Sequence, residues 1–162
     1  PNTRLCGCGM SPEKSGVLEQ SIQKGLDKTG KTMMDFDVAP FVTVIIGDDI
    51  EHCRMPIKGN MALYIGGMGA RDKNFYNDYA KSLGYEEAAE KIQDLFLAGK
   101  KDEAMAAVPD ELVDACHLVG PAGHIKERLQ VWKEAGAAGK ISSMLLGAGQ
   151  IEALELVANE IL

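Results

Sequence analysis

The stretch "ALYIGGMGARDKNFYNDYA" (residues 62–80) gathers Gly66, Gly67 and Gly69, the cations Arg71 and Lys73, the amide Asn74 and the tyrosines Tyr64, Tyr76 and Tyr79. Positive charge beside amide and phenol donors suits an anionic or polar ligand. Tyr64, Gly67, Gly69, Arg71, Lys73, Asn74 and Tyr76 are therefore candidates for holding a substrate or cofactor. The competing reading is a helix end, in which the glycines close one helix while Phe75 and Tyr79 open the core face of the next. A second candidate is "LLGAGQIE", where Gly147 and Gly149 stand between a strand-like and a helix-like run, so that a phosphate could meet free backbone amides. The dinucleotide fingerprint would need glycine where Glu152 stands, and a tight strand-to-helix turn explains the same residues.

No other constellation points to a catalytic residue. His117 and His124 flank "LVGPAG"; either could act as an acid or base near neutral pH, but neither has a nucleophile or an orienting carboxylate near it in sequence. The cysteines are Cys6, Cys8, Cys53 and Cys116. Two of them adjoin histidines (His52-Cys53, Cys116-His117), yet no ligand pair has the usual zinc spacing, so free thiols and no metal are expected. The pairs Asp48-Asp49 and Glu86-Glu87 fall at helix starts, where the dipole explains them.

The elements that would position these residues follow from periodicity. Ser11 and Pro12 are suited to start a helix that runs to about Leu26. Residues 42–46 form a continuous β-rich run before Gly47, as in a parallel strand buried on both faces. Asp48 and Glu51 then suit a helix start near Asp49, and Pro56 is expected to kink that helix or end its first part. Tyr85, Ala88, Ala89, Ile92, Leu95 and Phe96 mark the clearest amphipathic helix, ended by Gly99. Two short helices divided at Pro109 follow. "HLVG" and "ISSMLLGAG" read as strands, and the helix between them carries Ile125, Leu129 and Trp132 inward and stops before Gly136. A closing helix turns Ile151, Leu154, Val157, Ala158 and Ile161 inward. Alternating strands and helices predict an α/β fold with parallel strands.

With 17 Lys plus Arg against 24 Asp plus Glu, the net charge of −7 removes duplex nucleic acid as a partner, since its affinity requires a basic surface. No apolar run approaches the roughly 20 residues of a membrane span, and no signal peptide is recognisable, which makes a cytoplasmic location the default. The 162 residues suffice for one core, so a single domain is expected.

Residues 36–149 resemble the C-terminal half of the luciferase-like monooxygenase superfamily of flavin and deazaflavin oxidoreductases, above all the branch that uses coenzyme F420. The likeness is carried by "YIGGMGARDKNFYND" and "DELVDACHLVGPAGHIKERL", and it shifts the first stretch toward an active-site mouth. It implies an α/β fold that is the C-terminal part of a TIM (β/α)8 barrel with a long helical excursion. Residues 1–162 would then form one partial luciferase-like barrel domain with the N-terminal strands absent. The implied activity is hydride transfer between coenzyme F420, or alternatively FMN, and a small organic substrate. Cofactor and many substrates in the family are anionic, as Arg71 and Lys73 would require. A whole barrel takes about 250 residues, and the missing strands carry most of the family's cofactor contacts. The chain is therefore expected to be inactive alone, to leave the catalytic residues unassigned, and to pair with the missing N-terminal barrel half or as a homo-oligomer. A chain opening on Pro1 fits a piece of a longer polypeptide. The alternative is a non-catalytic α/β interaction module that assembles through its exposed sheet edge.

Overall fold

The computed structural model describes residues 3–5 and 10–161. In chain order the elements are β1 (Thr3–Leu5), α1 (Gly16–Asp27), a 3-10 turn (Met33–Asp35), β2 (Phe36–Val38), β3 (Phe41–Ile46) and α2 (Ile50–Gly67). Then come α3 (Phe75–Ser82), α4 (Glu86–Leu97), α5 (Lys101–Ala106), α6 (Asp110–Cys116), β4 (Leu118–Gly120), α7 (Ala122–Ala137), β5 (Leu145–Gly147) and α8 (Ile151–Ile161). They fall into two compact units: Pro1–Ile50 with Asp114–Leu162, and Glu51–Val113.

The first unit has the expected α/β form. β1 pairs with β2, and β3 is the middle of a β4-β3-β5 sheet, every pairing being parallel. The last strand thus returns to the far edge of β3 and does not extend the sheet beyond β4. Val42 and Val44 of β3 are fully buried with Leu118, Ile125, Leu129, Trp132, Ala153 and Val157. Burying each of the larger apolar side chains contributes roughly 1.5–3 kcal/mol. The opposite face of β3, with Thr43 and Ile45, is only half buried, so the run is not sealed on both sides as its composition suggests. The second unit is helical throughout, its core including Ile57, Met61, Ile65, Ile92, Val108 and Leu112.

Several boundaries differ from expectation for physical reasons. α1 begins at Gly16, because residues 11–14 close a separate turn in which the Lys14 amide meets the Ser11 carbonyl at 3.3 Å. α2 runs unbroken through Pro56. A mid-helix proline costs about 3 kcal/mol, but its ring lies on the exposed side of a helix whose other face buries Cys53, Ile57, Met61 and Ile65, and that burial outweighs it. α7 passes through Gly136 and stops at Gly139, whose φ of +72° suits glycine. Only residues 145–147 of the "ISSMLLGAG" run form a strand; before it, Ser142 and Ser143 donate backbone N–H groups to the Val38 carbonyl. Of the α8 positions expected inward, Val157 is buried, whereas Ile151, Leu154, Ala158 and Ile161 are exposed; Ala153 is the other buried residue.

Gly120 ends β4 with φ +112°, and a Cβ there would lie 2.9 Å from Ile50 Cγ1. Gly123, in the first turn of α7, has open space around it. Gly120→Ala should therefore cost about 2–3 kcal/mol in chemical denaturation, while Gly123→Ala should be neutral or stabilise by up to about 1 kcal/mol.

Candidate functional site

The seven candidates of residues 64–76 lie in the helical unit, where α2 ends, turns and hands over to α3. Gly66 and Gly67 are required by Phe96 of α4: a Cβ on Gly66 would lie 2.5 Å from Phe96 Cβ, and one on Gly67 2.3 Å from its ring. A Cβ on Gly69 would lie 2.3 Å from the Lys73 carbonyl oxygen. None of the three has positive φ. These glycines permit close approach and not an unusual backbone turn.

Asn74 is the N-cap of α3 and is fully buried. Its Oδ1 accepts from the amides of Tyr76 (3.0 Å) and Asn77 (3.2 Å), and its Nδ2 donates to the carbonyls of Tyr64 (3.1 Å) and Ile65 (2.9 Å). Asn77 adds donations to the carbonyls of Ile65 (3.1 Å) and Ala89 (2.8 Å). The amide expected to meet a ligand instead joins the end of α2 to the start of α3. The rings of Tyr64 and Tyr76 meet edge to face at 4.7 Å. Phe75, expected on the core face, is 67% exposed and stacks on Tyr79. Lys73 is exposed; Arg71 is exposed too, and pairs with Asp94 of α4.

Gly147 and Gly149 lie in the sheet unit, at the C-terminal end of β5. Gly147 has a packing reason, since its Cβ would sit 2.6 Å from the Phe41 ring, while Gly149 has open space. The Gln150 side chain accepts from the Ile46 amide and donates to the Ile46 carbonyl, both at 2.9 Å, which fixes the loop to the end of β3.

The histidines and described thiols fit structural roles. His117 is buried, and its Nδ1 accepts from the Thr43 amide at 3.1 Å. Burial lowers its pKa to about 4, so it is neutral with its proton on Nε2. His124 Nε2 lies 3.7 Å from an Asp114 carboxylate oxygen. Burial pushes the Cys116 thiol up to about 12, so it does not form a reactive thiolate. Cys53 is buried and unpaired, and Cys6 and Cys8 lie outside the described residues. Among the described residues no group of three His, Cys, Asp or Glu could hold a metal ion, and no helix is long and apolar enough to cross a membrane.

A charge cluster escaped sequence reasoning. Arg54 Nη1 contacts Glu51 at 2.6 Å and Asp110 at 3.2 Å, and Lys58 also pairs with Asp110. The signal was the i, i+4 spacing of Arg54 and Lys58 on α2, but their acidic partner is 56 residues from Arg54. The cluster ties the first turn of α6 to α2.

Residues 5–139 match the profile of the luciferase-like monooxygenases. The chain is 35% identical over 144 residues to a Mycobacterium tuberculosis protein provisionally named a coenzyme F420-dependent oxidoreductase, covering 88% of this chain and 40% of that protein. It is 20% identical over 153 residues to the 5,10-methylenetetrahydromethanopterin reductase of Archaeoglobus fulgidus, covering 93% of this chain and 45% of the relative. In fold it is similar to the coenzyme F420-dependent tetrahydromethanopterin reductase of Methanopyrus kandleri, with a TM-score of 0.66 at 19% identity over 98% of this chain and 44% of that one. The chain thus spans less than half the length of these relatives.

Two measurements check the structural roles. Because the folded pKa of His117 lies below the unfolded value near 6.5, the unfolded state binds the extra proton. Its stability contribution is complete above pH 6.5 and is lost as pH falls toward 4, roughly 3 kcal/mol in all at about 1.4 kcal/mol per pKa unit. His117→Gln should flatten the stability profile between pH 6.5 and 5. Asn74→Ala, which removes a cap and two buried donors, should cost about 2–4 kcal/mol in urea denaturation.

Proposed function

The chain belongs to the luciferase-like monooxygenase family, and from that membership we propose that it is the C-terminal part of an oxidoreductase moving hydride between coenzyme F420 and a small organic substrate. The observation that carries this reading is the likeness, along nearly the whole chain, to relatives named for coenzyme F420. Residues 1–162 are read as one partial barrel domain in which residues 51–113 are a helical excursion between two strands. The remainder of the barrel, or a second copy, completes it, and the chain alone is inactive.

The described residues fit an anionic ring cofactor only at its edge. Asn74 has no hydrogen-bonding capacity left over, Gly147 is filled by Phe41, and Arg71 is neutralised by Asp94. Lys73 and the Tyr76 ring are what the helical unit offers to hold it. The bound deazaflavin would supply the hydride chemistry, and these residues would orient an anionic group. No step of the transfer is assigned to them.

Titrating the full-length protein with coenzyme F420 and with FMN, followed by each cofactor's own absorbance and fluorescence, should give saturable binding of F420 and none of FMN. Binding of FMN alone, or of neither, would overturn the reading. In that protein Lys73→Ala should weaken binding or raise KM about threefold to tenfold with the Tm unchanged, the size of one partly exposed charge contact. Arg71→Ala should do less, since Asp94 already screens it. A fall in Tm with turnover preserved would show that Lys73 serves only the fold.

A further inference from the structure

We propose that a cavity in the sheet unit, at the end where its strands begin, binds a short apolar peptide by its free ammonium and carboxylate ends. The cavity holds about 870 Å³, within the roughly 300–1,000 Å³ of ligand pockets. One wall is α1, the floor is the turn that opens β2, and the other wall is the passage from α7 into β5. This chain alone fixes those walls to one another. The Ser142 and Ser143 amides donate to the Val38 carbonyl, Ser143 Oγ donates to Asp37 at 3.2 Å, and β3 pairs with β5. The cavity is therefore formed without the length that the relatives add. In a barrel the reacting groups gather where the strands end, here the side of Gly147 and Gly149, so the cavity is a different site.

The side chains select the ligand. Glu19 and Gln23, four residues apart on one face of α1, line the first wall with Gln20 beside them. Glu19 is half buried and accepts from Ser15 Oγ at Oε1 (2.9 Å), which leaves Oε2 without a partner among the described residues. Gln23 donates Nε2 to Asp27 and keeps Oε1 as an acceptor. A wall rich in acceptors suits an ammonium. On the other wall Lys140 is exposed and has no ion pair among the described residues, and the Ser142 hydroxyl lies two positions on. These donors suit a carboxylate. Met33, Met34 and Phe36 supply an apolar floor. A fatty acid would press its tail against Glu19 and the amides, and a polyamine would meet Lys140 as a like charge. An α-amino acid carries both charges on one carbon, whereas Glu19 and Lys140 stand on different elements. An extended tripeptide reaches about 10 Å, close to the cube root of the cavity volume. Neutral overall, it is not repelled by the chain's charge of −7.

Calorimetric titration of the full-length protein with the tripeptide Ala-Phe-Ala, in the absence of coenzyme F420, should give a saturable heat. Acetylating the peptide's N-terminus should weaken binding about tenfold, and amidating its C-terminus about threefold to fivefold. Triglycine, with the same ends and no apolar body, should bind about tenfold more weakly. Glu19→Gln keeps an acceptor for Ser15 and should erase the cost of acetylation alone; Lys140→Gln should erase the cost of amidation alone. Neither side chain is in the core, so both variants fold. A merely structural role for either residue would not produce this crossed pattern. Absence of a saturable heat, or equal affinity for the free and the blocked peptides, would overturn the proposal. So would hexanoate or free phenylalanine binding as tightly as the tripeptide, or acetylation costing as much in Glu19→Gln as in the parent protein. Coenzyme F420 takes no part in these titrations, so they fail or succeed independently of the cofactor measurement.

Discussion

A strand in the middle of a parallel sheet presents N–H and C=O groups to both sides, and each one buried without a partner costs about 1–3 kcal/mol. β3 has this position, with neighbours of only three residues each. Side chains and loop amides supply what short strands cannot. On the β4 side the His117 ring accepts from Thr43 below the strand, and the Gly120 carbonyl accepts from the Gly47 amide above it. On the β5 side the Pro40 carbonyl, just before β3, accepts from the Leu145 amide, and Gln150 pairs with Ile46 at both its backbone groups; upstream, Ser142 Oγ accepts from the Val38 amide at the end of β2 at 3.2 Å. Residues whose chemistry invites a catalytic reading are in this way occupied in extending a hydrogen-bond ladder.

The same constraint governs the helical unit, where it acts on helix ends. The last carbonyls of a helix have no partner within it, and those of Tyr64 and Ile65 at the end of α2 are met by Asn74 and Asn77. That solution needs α3 and α4 close to the last turn of α2, which is possible only where Gly66 and Gly67 leave room for Phe96. The stretch richest in candidate residues is therefore mostly a junction. Of the candidates there, Lys73 stays exposed and Tyr76 packs its ring edge to face on Tyr64.

Element types were legible in the sequence because each rests on a local signal: the β-branched run of β3, the apolar repeat of α4, and Pro109 between α5 and α6. Features set by distant residues were not. The partner of His117 is 74 residues away, and the reason for Gly67 is a phenylalanine in another helix. Pro56 was misjudged because local propensity ignores the buried face that holds α2 together. For α8 five positions were read as inward, yet only Val157 of them is buried, because an apolar repeat does not say which side of the helix the rest of the chain covers. Candidate residues were likewise found by type, while their availability depended on contacts that no spacing reveals.

Electrostatics decides how much of a cofactor's affinity this segment could supply. With a net charge of −7 the chain as a whole repels an anionic ligand, so attraction has to come from individual cations placed beside it. Arg54 and Lys58 are engaged by Asp110, Arg128 by Glu13 at 3.0 and 3.2 Å, and Arg71 by Asp94. Each pairing ties one element to another and leaves little field for a ligand. A single exposed cation such as Lys73 can add only about 1 kcal/mol to such binding, far below the 8 kcal/mol or so of micromolar binding. If the whole protein binds coenzyme F420 as proposed, most of that affinity arises outside these residues, and this segment contributes the frame of parallel strands against which the rest is positioned.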